Sequence, residues 1–134
     1  MPYRFIDHPA DIGIHIVSKD RRGLFEEAAY AIIDILGAKC PDKDLQNQNI
    51  TVEGLDLADT MVRWLQELLY HIEVKDLRVF SIKIDRIQET GLNAWVTGNH
   101  SSTGLEKEIK AVTYHNLEIL EVDNHFETTI IFDT

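Results

Sequence analysis

Hydrophobic positions change their period along this chain, and each change marks a new element. "YRFIDH" at residues 3–8 reads as extended. In the following "IGIHIVS", Ile12, Ile14 and Ile16 alternate with Gly13, His15 and Val17, the pattern of a half-buried strand with His15 on the less apolar side. From Arg22 to Leu36 the spacing becomes helical: Leu24, Phe25, Ala28, Ala29, Ile32 and Leu36 share a stripe, with Asp20 placed to cap its start and Gly37 its end. Residues 38–48, with Pro41, Asp42, Asp44 and Asn47, read as a loop, and "NITVEG" after them as a short strand. A second helical stripe runs through Met61, Trp64, Leu65, Leu68, Leu69 and Ile72, with Arg63, Gln66 and Glu67 opposite. Asp56 and Asp59 suit the positive N-terminal end of that helix. Trp64 and Tyr70 have faces on which a ligand could stack, but aromatics within such a stripe are more simply read as core.

Beyond Arg78 the period falls to two. Phe80, Ile82 and Ile84 alternate with Ser81, Lys83 and Asp85, and Leu92, Ala94 and Val96 alternate with Asn93, Trp95 and Thr97, with "QETG" as the turn between them. A polar stretch, "GNHSSTGLEKE", precedes the extended "IKAVTYHNLEIL", and "VDNH" turns the chain into a last strand, "FETTIIFD". Strands, helix, strand, helix and a run of strands predict an α+β fold: one two-layer domain over residues 1–134, its two main helices packed on one face of a mixed or largely antiparallel sheet.

Composition narrows what such a domain does. With 134 residues, 44% of them hydrophobic, a single core is expected. The formal net charge of -10 opposes tight direct binding to nucleic acid, whose affinity rests on Lys and Arg displacing counterions, and suits a protein that binds cations or docks on a basic protein surface. Cys40 is the single cysteine, so neither an internal disulfide nor a cysteine metal cluster can form. The opening residues lack an apolar signal core and no apolar run reaches membrane-spanning length, so a cytoplasmic location without a membrane partner is expected.

Three segments carry candidate chemistry. Asp7, His8 and Asp11 cluster at a strand-to-strand junction, where Asp11 is either a turn residue or a hard-oxygen ligand in need of further oxygens. Asp133 follows the apolar run Ile130, Ile131 and Phe132, and Thr134 would add a terminal carboxylate. If the chain ends are sheet neighbours, Asp11, Asp133 and Thr134 converge on a site for calcium, magnesium or manganese, with His8 admitting zinc. In "KEIKAVTYHNL", a straight strand would point Lys110, Val112 and Tyr114 one way and Ala111, Thr113 and His115 the other, so Lys110 and His115 would share a substrate only across a bulge. Ser101, Ser102, Thr103 and Gly104 lack the Gly-Lys-Ser/Thr ending of a phosphate loop and do not lead into a helix. Neither G-x-S-x-G, H-E-x-x-H nor G-x-G-x-x-G occurs.

Taken together, "HPADIGIHI", "WLQELLYHIE", "EIKAVTYHNLEI" and "IIFD" resemble the archease family, in the same order and over essentially the whole chain. The resemblance implies a non-catalytic accessory protein of the tRNA-splicing RNA ligase, promoting guanylylation of the ligase histidine and its multiple turnover. It also implies a divalent-cation site, calcium first among the candidates, at Asp11 and Asp133 with Thr134 contributing. Lys110, with His8 and His115 from the same motifs, would contact the partner or its nucleotide. Two positions depart from the family's pattern: Pro9 stands where threonine is common, and Asn99 follows Gly98 where glutamate is common. A small metal-dependent hydrolase, with His115 or His8 as base, and a general chaperone-like interaction module are the alternatives from other classes.

Overall fold

The computed structural model describes residues 3–8, 11–114 and 117–134, with the side chains of residues 6–8 outside the description. Its elements are β1 (Tyr3–His8), β2 (Asp11–Ser18), α1 (Arg21–Leu36), β3 (Gln46–Glu53), α2 (Leu57–Glu73), β4 (Leu77–Gln88), β5 (Gly91–His100), β6 (Ala111–Val112), β7 (Ile119–Val122) and β8 (His125–Asp133). The α+β class and the two helices are as expected. The strands, however, form two antiparallel sheets and not one: β1-β2-β8-β6 with β7 also on β8, and β3-β5-β4. Alternation reports which face of a strand is buried, not which strand lies beside it, so the division was invisible in the pattern.

Both helices touch both sheets. α1 packs on β2 of one and β4 of the other, and α2 on β3, β4 and β5 of one and β6 of the other. That placement accounts for the burial of Leu24, Phe25, Ala28, Ala29, Ala31, Ile32, Ile33, Ile35 and Leu36 around most of α1, where the small alanines allow close approach. Asp20 caps the helix by accepting from the Gly23 amide at 2.7 Å, and Gly37 ends it in the left-handed conformation at φ 67°. Trp64 is fully buried and donates its indole N–H to the Phe25 carbonyl at 3.1 Å, tying α2 to α1. Tyr70, in contrast to the core reading, is 46% exposed.

β4 is an edge strand, and α1 covers it. The Ile82 amide donates to the Tyr30 hydroxyl at 2.9 Å, the Ile84 amide donates to Glu26 at 3.0 Å, and Arg22 donates to the Asp85 carbonyl at 3.2 Å. Two register shifts, at Val79/Ser81 and Ile84/Arg86, bend the strand against the helix. An edge that would otherwise offer itself to another chain is thereby satisfied from within.

The stretch read as one strand over 109–120 is interrupted. Val112 pairs with Phe132 and Ile119 with Thr128, so six positions on this side are set against only residues 129–131 of β8, and β6 and β7 cannot be one regular strand. The turn into β8 is as read, with Asp123 and Asn124 both at positive φ (50° and 66°), the requirement of a tight two-residue hairpin.

Candidate functional site

In β2 and β8 the inward pairs are Ile12 with Phe132 and Ile14 with Ile130, three of these four side chains fully buried. The alternate positions therefore face away from the core: Asp11 with Asp133, Gly13 with Ile131, His15 with Thr129 and Val17 with Glu127. His15 is on this outer side as expected, hydrogen-bonded to the Thr129 hydroxyl at 2.9 Å and 3.7 Å from Glu127.

Asp11 and Asp133 are thus direct cross-strand partners on one face, where Cβ atoms stand about 5 Å apart. Like charges directly opposite one another repel across a sheet, so these two carboxylates are the pair that could hold a cation. The row continues on both sides. His8 is the backbone partner of Asp11 in the β1–β2 hairpin, and Ala111 pairs with Asp133 from β6. The Lys110 amide donates to the Asp133 carbonyl at 2.7 Å, which fixes the exposed Lys110 beside that aspartate. Thr134 follows directly and is exposed.

Among the described residues no group of three or more His, Cys, Asp and Glu side chains gathers as a metal cage. Two carboxylates suit a hard cation that keeps water as its remaining ligands, with Thr134 as the adjacent oxygen donor. The His8 side chain and the whole of His115 lie outside the described residues. A cavity of about 550 Å³ adjoins Asp11, lined also by Phe5, Ile12, Asp34, Ile35, Glu106 and Lys107. Phe5 is 56% exposed beside it, while Asp34 is engaged by the Tyr3 hydroxyl and, at 2.8 Å, by the Lys39 ammonium.

Comparisons over the whole chain match it to proteins already described. The model of the Archease protein family (MTH1598/TM1083) matches residues 3–134. The chain belongs to the archease family. It is 33% identical to a protein archease of Methanosarcina barkeri, over 98% of this chain and 94% of that one, and 29% identical to a protein archease of Archaeoglobus fulgidus, over 99% of each. The solution structure of Methanobacterium thermoautotrophicum protein 1598 superposes with a TM-score of 0.74 at 28% identity, covering 99% of both chains. A Thermotoga maritima crystal structure described as an archease and possible chaperone shares the fold, with a TM-score of 0.73 at 24% identity over 96% of this chain and 94% of that one.

Within this archease fold a second polar centre emerges that sequence reasoning did not find. Asp59, in the first turn of α2 and only 8% exposed, accepts from the Tyr114 hydroxyl at 2.6 Å, the Leu55 amide at 2.8 Å and the Arg63 guanidinium at 2.8 Å. Its own amide donates to Asp56 at 2.8 Å, closing a reciprocal cap. The Tyr114 hydroxyl, followed by those two N–H donors, holds the Asp59 carboxyl down at about 2, and the same bond raises the Tyr114 phenol. From sequence, Asp59 reads only as charge for the helix end. Its bond to Tyr114 spans 55 residues of sequence, a distance no local pattern carries. The bond pulls the segment after β6 onto α2, so the Lys110 segment is tied at both ends: to Asp133 by backbone and to Asp59 through Tyr114.

No described helix is long and apolar enough to cross a membrane.

Proposed function

We propose that this chain is an accessory protein of the tRNA-splicing RNA ligase, promoting guanylylation of the ligase histidine and repeated turnover without catalysing RNA joining itself. The observation that carries the reading is the Asp11–Asp133 register, which brings the aspartates of the "ADIG" and "IIFD" segments face to face beside Lys110. In this reading Asp11 and Asp133 hold a divalent cation, calcium in the first instance, with Thr134 as a further oxygen donor. The ion neutralises the facing carboxylates and shapes the surface offered to the ligase. Lys110, fixed beside Asp133, reaches a nucleotide phosphate or an acidic ligase group. The net charge of -10 steers the chain to the basic margin of an RNA-binding enzyme, so association weakens with salt.

The test is guanylylation and multiple-turnover RNA joining by a purified ligase with and without this protein. Asp11→Ala and Asp133→Ala are expected to remain folded and lose stimulation, and Lys110→Ala to lose stimulation while still responding to calcium. Full stimulation by both aspartate variants rejects the cation site. Equal stimulation of unrelated enzymes supports a general chaperone instead, and turnover by the protein alone in a hydrolase screen supports the enzymatic alternative.

A further inference from the structure

Arg78, the second residue of β4, is almost fully buried, 4% exposed, with no carboxylate among the described residues in ion-pair contact with it. Its guanidinium donates to the carbonyls of Ile72 at 3.2 Å and Leu77 at 2.9 Å, and to that of Thr103, while its Nε is buried with no hydrogen-bond partner. Carbonyl acceptors and the negative end of α2 orient the group and ease its burial, but they contribute no full negative charge. The backbone beside it is equally constrained: a Cβ on Gly98 would stand 1.9 Å from the Arg78 carbonyl oxygen, so only glycine lets β5 lie this close.

Arg78 lines a cavity of about 490 Å³ between the loop after α1 and the segment after β5. Its basic lining is completed by Lys39, Lys43 and His100, and the Ser101 and Thr103 hydroxyls, bonded to each other at 2.7 Å, leave one further O–H donor. Lys39 is shared with Asp34, whereas Lys43 makes no ion pair with a described residue. One carboxylate, Asp44, also lines the space. In a chain of net charge -10, this collects a buried guanidinium, ammonium groups and hydroxyls in one concavity.

We propose that this cavity binds the phosphate monoester of a small polar molecule. The buried guanidinium and Lys43 match a dianion, the remaining O–H donor matches one of its oxygens, and the volume falls within the roughly 300–1,000 Å³ typical of small-ligand sites, more than a bare phosphate fills. The site is separate from the strand ends that carry Asp11 and Asp133.

Calorimetric titration of the intact protein with inorganic phosphate, glucose 6-phosphate and adenosine 5′-monophosphate tests the assignment. At least one ester is expected to bind saturably and more tightly than inorganic phosphate. Lys43→Glu, a change at an exposed side chain, should weaken that binding about tenfold or more, and Asp44→Asn should tighten it. Asparagine tolerates the positive φ of 54° at position 44, so this variant keeps the loop. Cys40 lines the same cavity, and alkylation of this single thiol by neutral iodoacetamide should slow when the ester is bound. Arg78→Met is the direct removal of the buried cation, but the surface variants carry the test because that change also removes three bonds to the backbone. Absence of saturable binding by either ester overturns the proposal, as does undiminished binding by Lys43→Glu. Binding of inorganic phosphate as tight as that of both esters overturns the small-molecule assignment.

Discussion

Two sets of aspartates in this fold meet opposite surroundings. Asp59 is surrounded by donors from three places, its own helix, the residue before the cap and the segment after β6. Asp11 faces a second carboxylate, Asp133, across an antiparallel pair. The first arrangement completes itself within the chain and belongs to the architecture. The second sets like charges opposite one another at a sheet end, where the proposed cation would stabilise them. Residue type alone does not distinguish the two: Asp59 is buried among donors, whereas Asp11 and Asp133 stand opposite one another on neighbouring strands.

Calcium is the strongest way to pull the two apart. At about 100 times its dissociation constant an ion bound only to the folded state adds roughly 2.7 kcal/mol, which for a chain of this size raises the Tm by about 8 °C. A calorimetric scan with calcium and with chelator should show this rise in the native protein and in Asp59→Ala, and should lose it in Asp133→Asn. A rise retained by Asp133→Asn would detach the ion from the strand ends.

Removing the other carboxylate has the next largest effect. Asp59→Ala leaves the Tyr114 hydroxyl, the Leu55 amide and Arg63 without their shared acceptor and opens the reciprocal cap, so the Tm at neutral pH should fall by about 5 °C. The loss is pH-dependent with a defined sign. Folding depresses the Asp59 carboxyl from its ordinary 3.8 to about 2, so its contribution is complete above about pH 4 and disappears as the pH falls through 2. Native and Asp59→Ala stabilities should therefore converge over that window; a constant gap down to pH 2 would show that the variant loses packing and not a charged acceptor.

Tyr114→Phe is the smallest perturbation, removing one donor and keeping the ring. A Tm decrease of about 2 °C is expected at neutral pH, with the acid transition moved upward because Asp59 loses the bond that lowers it most. An unchanged acid transition would mean that Arg63 and the Leu55 amide suffice.

Much of this contrast was legible in the chain. Asp20 and Gly37 mark the ends of α1 because capping is local, and Trp64 falls inside a 3.6-residue stripe that only a buried face requires. Asp11 is a candidate because it lies in a polar cluster at a strand junction and Asp133 because it ends an apolar run, and the register that joins them has Ile12, Ile14, Ile130 and Phe132 all facing inward. Asp59 and Arg78 were not legible. Each is a charged residue buried by contacts with segments distant in sequence or with backbone carbonyls, neither of which leaves a periodic mark. Tyr114 fitted the alternation of a continuous strand, and the excess of residues opposite β8 is visible only when both strands are laid side by side.

The position of β8 gives the fold an order of assembly. This strand lies inside its sheet, between β2 on one side and β6 and β7 on the other, and supplies the fully buried Ile130 and Phe132. During synthesis the β1–β2 hairpin and both helices emerge with that slot open, and β2 presents an unsatisfied edge until β8 arrives. Pairing of such remote segments is slow compared with local helix and hairpin formation. Asp11 meets Asp133 only on that last step, so a nascent chain stopped short of β8 displays only half of the proposed cation site.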